Sequence, residues 1–364
     1  MSQTSLISLS FLNRYSRQVK NILIVALIFG FVRAILPFLI LLVVNLNLKY
    51  NLDNYTGSVQ DIDLSFLKGK YQINNLKISK KTQSSNSPFI DIQNINIFMD
   101  YQSLKTGLVR FELFLESPKL FFKDSADESK KDDGKNEAKS NWIDTIESII
   151  PVDIDQIRVR NGYISFQNID IANKNEIFLK DIEMKVNDIY TKDLSKSSLS
   201  IKAKSNGNSD LSVHGLFGIL HDQPIMDLNY SLRNFSITEI NKLLMKYIPL
   251  DFSSGELTLI GEYVSHKDVK AYTNFFFKDL DVIATEQSFK NTSHILYEFA
   301  SGLYNWLLKN RDNSHLAFTL PYEYKKDKWE FDFSKVFWSS LKNKFDSMEP
   351  KLENKLDLSE LSQK

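Results

Sequence analysis

The sequence predicts a mostly β protein with one N-terminal transmembrane helix and a few short helices. Residues Ile22–Leu46 form an unbroken apolar run. Along most of the remaining chain, apolar and polar residues alternate, which is typical of strands with one apolar and one wet face. The chain has 45 basic residues, 45 acidic residues and no cysteine. This composition excludes disulfide-stapled and thiolate-metal proteins, and it argues against a nucleic-acid partner.

The apolar run is long enough to be a membrane anchor. At ~1.5 Å per residue it would form a helix of roughly 37 Å, more than the ~30 Å of a hydrocarbon core. Arg33 inside the run costs about 3 kcal/mol, which the many Leu, Ile, Phe and Val residues outweigh. No small-residue cleavage site follows the run. We therefore predict an uncleaved signal anchor over residues 21–48, marked by Ile22, Arg33, Pro37 and Leu46.

The charges beside the anchor predict its orientation. Arg14, Arg17 and Lys20 precede the run, and only Lys49 follows it closely. Basic residues flanking a transmembrane helix stay in the cytoplasm. We expect residues 1–20 to be a cytoplasmic tail and the bulk of the chain to lie across the membrane.

Composition divides the remainder into two β lobes and a cap. Residues 124–141 carry almost only charged and small side chains and predict a disordered loop. This loop separates a first β lobe at 49–123 from a second at 142–285. A helical or β cap over 286–347 and a flexible tail over 348–364 complete the prediction.

One hairpin and four helices can be placed from local signals. Asn161-Gly162 is typical of a two-residue type I′ turn, which would pair Val159 with Ile164. Ser236 to Glu239 reads as a capping box that opens a helix. Apolar residues at helical spacing predict three further helices, at Trp142–Ile150, Ile295–Leu307 and Ser334–Phe345.

Short segments in a fixed order behind the anchor resemble a known family. They are Tyr55–Val59, Asp61–Leu64, Gly69–Ile73, Leu76–Ile78, Pro88–Ile90, Ser117–Leu120, Arg160–Ile164, Asn234–Ser236 and Ser253–Gly261. Together they resemble the AsmA-like proteins of Gram-negative envelopes, in particular a short single-anchor branch related to the repeating β-groove lipid-transfer proteins. The resemblance covers most of residues 20–345.

The resemblance implies a long, bent antiparallel β-sheet that forms an open apolar groove, with a helical C-terminal cap. It implies a single-pass protein of the bacterial inner membrane whose bulk is periplasmic. Longer relatives are linked to phospholipid movement and outer-membrane assembly. We therefore expect a non-catalytic protein that holds or passes phospholipid or other acyl-chain lipids. The alternative is an assembly factor that binds other envelope proteins through an open sheet edge.

Alternation and the resemblance together predict the side chains that line the groove. They are Ile62, Leu64, Ile73, Phe111, Leu113, Ile182, Met184, Leu228, Tyr230, Leu257 and Leu259. The same pattern is also typical of a closed sandwich core. No nucleophile, phosphate-binding or metal-binding motif occurs. We expect no catalytic, cofactor-binding or metal-binding residues.

Overall fold

A computed structural model describes most of the chain. The described residues are 4–52, 55–65, 68–81, 88–101, 110–124, 154–168, 176–189, 197–220, 223–241, 250–266, 268–284, 316–325, 328–330, and the single positions 352 and 356.

A long helix, α1, spans Thr4–Tyr50. It contains the whole predicted anchor and most of the predicted tail. Its segment Val19–Tyr50 is long and apolar enough to cross a membrane, as predicted. Large apolar side chains around the helix are exposed, for example Leu27 at 70% and Phe31 at 68%. A surface of this kind is consistent with a single-pass membrane anchor.

Fourteen strands follow the helix in the part of the chain that the structure describes, and all of them belong to one large bent sheet. Their bounds are Tyr55–Ser58 (β1), Asp61–Ser65 (β2), Lys70–Lys80 (β3), Ile90–Met99 (β4), Phe111–Asp124 (β5), Ile154–Asn168 (β6), Glu176–Asn187 (β7), Ser198–Ser205 (β8), Asp210–Leu220 (β9), Gln223–Ser236 (β10), Leu250–Ser265 (β11), Val269–Ala284 (β12), Leu316–Lys325 (β13) and Lys328–Glu330 (β14). From β3 onward each strand pairs with the next one in the chain. The strands β1 and β2 pair with successive halves of the same edge of β3.

The sheet is mixed, so the prediction of a purely antiparallel sheet is wrong. The strands β5 and β6 run parallel, with Leu113 opposite Ile157 and Leu115 opposite Val159. A parallel pair needs a crossover of about a dozen residues or more. Residues 125–153 provide that length. The same pairing joins the two predicted lobes into one continuous sheet.

The predicted hairpin at Asn161-Gly162 is also wrong. Both residues lie inside the single strand β6. Asn161 has the left-handed backbone that a type I′ turn would require, with φ of 53°. Here it forms a bulge opposite β7, where the register shifts on both sides of Gly162. A Cβ at Gly162 would lie 3.0 Å from Val159 Cγ1 and 3.1 Å from Ile182 Cβ, so the glycine permits close packing.

Four residues with left-handed backbone lie at one level of the first half of the sheet. They are Asn75 in β3, Ser117 in β5, Asn161 in β6 and Asp181 in β7, with φ between 49° and 54°. The side-chain Nδ2 of Asn161 donates a hydrogen bond to Ser117 Oγ at 3.0 Å, and this bond links the left-handed residues of β5 and β6. Bulged strands bend and twist more strongly than regular ones.

A second set of bulges crosses the strands β10 to β12. Asn234 and Asp279 have φ of 57° and 52°, and Gly255 between them has φ of 146°. The register shifts beside each of these residues. The bend of this half of the sheet has the same origin.

The predicted helices are only partly within the described residues. A 3-10 helix spans Ile237–Ile240, so the helix start after Ser236 is confirmed. The Ser236 side chain pairs with the Thr238 hydroxyl at 2.8 Å and does not cap the backbone. A shorter 3-10 turn spans Asn206–Asn208. The other predicted helices, the tail and the loop beyond Asp124 lie outside the described residues, apart from positions 352 and 356.

Candidate functional site

One face of the sheet carries two continuous cross-strand rows of mostly apolar side chains, which we call the apolar face. Residues opposite one another in neighbouring strands share a face. The first row, from β2 to β13, is Ile62, Ile73, Ile95, Leu115, Val159, Met184, Ile201, Val213, Tyr230, Gly261, Thr273 and Leu320. The second is Leu64, Tyr71, Ile97, Leu113, Ile157, Val186, Leu199, Gly215, Leu228, Tyr263, Ala271 and Tyr322. At ~4.8 Å between strands, each row is roughly 50 Å long.

The structure places all eleven predicted groove residues on the apolar face. Seven belong to the two rows, and the others adjoin them in the same strands. Six of the eleven are buried: Ile62, Leu64, Ile73, Leu113, Ile182 and Leu257. The remaining five are half-buried: Phe111, Met184, Leu228, Tyr230 and Leu259.

The apolar face begins beneath the C-terminal end of α1. Leu48 of α1 is 2% exposed and belongs to the same core cluster as Ile62 and Ile95. One turn and two turns earlier, Val44 and Ile40 pack against that cluster. The apolar surface of the anchor therefore continues directly into the apolar face of the sheet. Arg33 and Pro37 lie farther up the same helix, and the Arg33 side chain is exposed.

A side-chain amide fixes the junction between helix and sheet. Asn45 donates a hydrogen bond from Nδ2 to the Val59 carbonyl at 3.0 Å and accepts one from the Val59 N–H at 2.7 Å. These paired bonds hold the link between β1 and β2 against α1. Sequence reasoning missed this contact, although a polar residue within the last turns of an apolar helix was a signal for it.

The middle of the apolar face is less covered than its beginning. Around β6 to β10, a small cluster forms on Val186, Ile189 and Leu199. The neighbouring side chains of Met184 and Leu228 are only half-buried. Every described strand belongs to the same sheet, so no second sheet covers this face within the described residues.

A hydroxyl cluster interrupts the rows near their far end. Tyr230 Oη lies 2.6 Å from Thr273 Oγ1 and 3.2 Å from Tyr322 Oη, and it donates to the Tyr272 carbonyl at 3.1 Å. Burial raises the pKa of Tyr230 well above its usual value, so the phenol stays protonated. Beyond this cluster the face is aromatic. The ring of Phe318 stacks on that of its cross-strand partner Phe275, with 4.8 Å between the ring centres.

The opposite face is polar over most of the sheet. Its central row is Asp63, Gln72, Asn96, Phe114, Arg158, Lys185, Ser200, His214, Asn229, Glu262, Tyr272 and Pro321. Two clefts of about 290 and 670 Å³ open on this polar face. Next to the larger cleft, burial and the Glu176 carboxylate raise the pKa of Tyr163 to about 12.

Near its far end, the polar face is covered at Glu262. Glu262 is 2% exposed, and its carboxylate accepts hydrogen bonds from the Tyr272 hydroxyl at 2.7 Å and the Leu356 N–H at 2.9 Å. A segment near the C-terminus therefore reaches back to β11. Within the described residues, no group of His, Asp and Glu side chains has the arrangement of a metal site.

Comparison of the chain with protein-family models and with curated proteins finds no match. The family resemblance therefore rests on the segments quoted above.

Proposed function

We propose that the protein binds the acyl chains of phospholipids along the apolar face, next to the membrane in which α1 anchors it. The observation that carries this proposal is the unbroken apolar surface from the helix onto the sheet. A lipid that leaves the bilayer beside Val44 would meet apolar side chains at each successive strand. Acyl chains suit such a surface because apolar contact needs no directional partner.

The partial exposure of the central residues supports an open site over a filled core. A sandwich core requires a second sheet, and the described strands form only one. Each methylene removed from water contributes about 0.8 kcal/mol, so a chain of about a dozen methylenes gains roughly 10 kcal/mol. That gain is comparable with the ~4–15 kcal/mol cost of association.

The family resemblance supports a proposal for the membrane and compartment in which lipid binding takes place. We propose that the helix lies in a bacterial inner membrane with its N-terminus in the cytoplasm and the sheet in the periplasm. In that setting the apolar face would hold or pass phospholipid for maintenance of the envelope, without catalysis. The polar cluster at Tyr230 would mark the far limit of the continuous apolar path.

A charge on each face of the same strand tests the proposal. Leu228 points to the apolar face and its neighbour Asn229 to the polar face. Wild-type protein should co-purify with phospholipid, as measured by mass spectrometry of extracted lipid. Leu228→Asp should lose most of that lipid with little change in the melting temperature, because the new charge can reach solvent in an open site. Asn229→Asp should keep the lipid.

Two results would count against lipid binding. One is lipid-free wild-type protein. The other is a Leu228→Asp variant that unfolds, because a closed core would then surround an unpaired charge.

The edge of strand β13 bears on the second candidate function, binding of other envelope proteins. Strand β14 pairs with Glu323–Lys325 at one end of β13. At the other end Leu316, Ala317 and Phe318 are buried, whereas Thr319 to Pro321 are half-buried or exposed. A strand added by another protein would contact β13 at these more accessible positions. A photo-crosslinker at Thr319 should then form adducts with a second polypeptide and not with lipid.

A further inference from the structure

The smaller cleft on the polar face has an excess of positive charge. It lies across the strands β5 to β8, and its charged lining is Arg158, Arg160, Glu183, Lys185 and Lys202. Four cations and one carboxylate therefore line the cleft. Glu183 is the cross-strand partner of Lys202, and Glu116, just outside the cleft, is that of Arg160, so the unbalanced charge lies at Arg158 and Lys185. The cleft volume of about 290 Å³ is at the lower end of the range for small-molecule sites.

Two of these cations face each other directly. Arg158 in β6 and Lys185 in β7 are cross-strand partners. Their outer neighbours in the same row, Phe114 and Ser200, are uncharged. Like charges opposite each other destabilise a sheet. Among the described residues, neither cation has a hydrogen-bond or ion-pair partner.

The lone carboxylate of the cleft is already engaged, and one cation is held in place. Glu183 Oε1 accepts a hydrogen bond from the Asn161 N–H at 3.3 Å, next to the bulge of β6. The Arg160 guanidinium lies 5.3 Å from the centre of the Phe114 ring. Such a cation–π contact fixes the guanidinium at the rim of the cleft without neutralising it.

In a second like-charge pair on the same face, a neighbouring acid compensates the repulsion between the two lysines. Lys180 and Lys204 are also cross-strand partners. There Lys204 Nζ forms an ion pair with Asp210 at 2.5 Å. Among the described residues, neither Arg158 nor Lys185 has an acid as its cross-strand or ion-pair partner, so an external anion can occupy that position.

We propose that this cleft binds a phosphoryl group, held between Arg158 and Lys185 with Arg160 and Lys202 at its sides. A guanidinium presents paired N–H donors that match phosphate oxygens, and lysine adds a compact positive charge. The phosphoryl group belongs either to a free phosphorylated molecule or to a phospholipid headgroup. The cleft lies on the face opposite the apolar rows, so this inference does not depend on the proposed acyl-chain site.

Calorimetric titration of the full chain in an uncharged detergent tests the site. The two probes are inorganic pyrophosphate and sn-glycerol 3-phosphate. At least one should bind saturably, with an affinity that falls as sodium chloride is added. The double variant Arg158→Gln/Lys185→Gln should bind it at least tenfold more weakly. Tighter binding of pyrophosphate would indicate a free phosphorylated ligand, and tighter binding of glycerol phosphate would indicate a headgroup.

The matched control is Lys77→Gln, because Lys77 lies on the polar face opposite Asp91 and outside this cleft. It should leave the affinity within twofold of wild type. In anion-free buffer Arg158→Gln should melt at the same temperature as wild type or higher, because a repulsion is removed. The proposal is overturned if neither probe binds, if Lys77→Gln weakens binding as much as the double variant, or if Arg158→Gln melts lower.

Discussion

At the scale of single residues, a few polar and glycine positions shift the strand alternation of this sheet and fix its contact with α1. Asn161 and Asp181 adopt left-handed backbone inside strands and shift the alternation by one residue. In β3 the same shift at Asn75 lets both Ile73 and Leu76 point to the apolar side, where each is buried. The bulges therefore keep the apolar face continuous along the strands that contain them.

The Asn45 amide should stabilise the junction of α1 with the sheet. Asn45→Ala removes both hydrogen bonds to the Val59 backbone and leaves that N–H and carbonyl in a partly buried position. We expect a loss of about 1–3 kcal/mol, measured by chemical or thermal unfolding in detergent micelles. Asn47→Ala is the control, since Asn47 bonds only to exposed Asn51 among the described contacts. Equal stability of the two variants would show that the Asn45 bonds do not secure the junction.

Gly261 should tolerate no side chain. A Cβ there would lie 2.3 Å from both Tyr230 Oη and the Tyr272 carbonyl oxygen. Gly261→Ala should lower the stability by about 1–3 kcal/mol or more, because the Tyr230 ring and a strand backbone must both shift. Gly30→Ala in α1, where nothing lies within 4 Å, should cause no loss. A Gly261→Ala variant with the same melting temperature as wild type would contradict the packing of Tyr230 over this glycine.

At the scale of elements, the sequence could predict strands and faces but not how the strands pair. The anchor helix and the eleven face positions follow from local apolar patterns, which each segment carries within itself. The parallel pairing of β5 and β6 depends on contacts between residues about forty positions apart, such as Leu115 and Val159. Asn161-Gly162 looked like a turn because its local chemistry is the same in a turn and in a bulge. Only the neighbouring bulge at Asp181 and the contact with Ser117 distinguish the two.

Engineered cysteines can test this assignment, because the chain has no native cysteine. Val159 lies opposite Met184 in β7. The pair Val159→Cys/Met184→Cys should form a disulfide under mild oxidation, measured by a mobility shift on non-reducing gels. The pair Val159→Cys/Ile164→Cys should not, because the two positions are five residues apart in one continuous strand. Efficient crosslinking of the second pair would support the two-residue hairpin and contradict the bulge in β6.

At the scale of the whole molecule, an apolar helix long enough to span a membrane continues into one face of a long bent sheet. The core cluster around Leu48 joins the two, and the apolar rows extend from it toward β13. The polar face carries the cationic cleft, so the two proposed sites are separated by the sheet itself. Neither the cleft nor the Tyr230 cluster could be predicted, because each gathers residues from three or more strands.

Site-specific photo-crosslinking in cells tests the central claim most directly. A photoreactive amino acid is placed at Met184 or Leu228 on the apolar face, and at Asn229 on the polar face, outside the cationic cleft. After irradiation, mass spectrometry of the purified protein should find phospholipid adducts at positions 184 and 228 and none above background at position 229. Adducts at all three positions, or at none, would contradict an acyl-chain site on the apolar face.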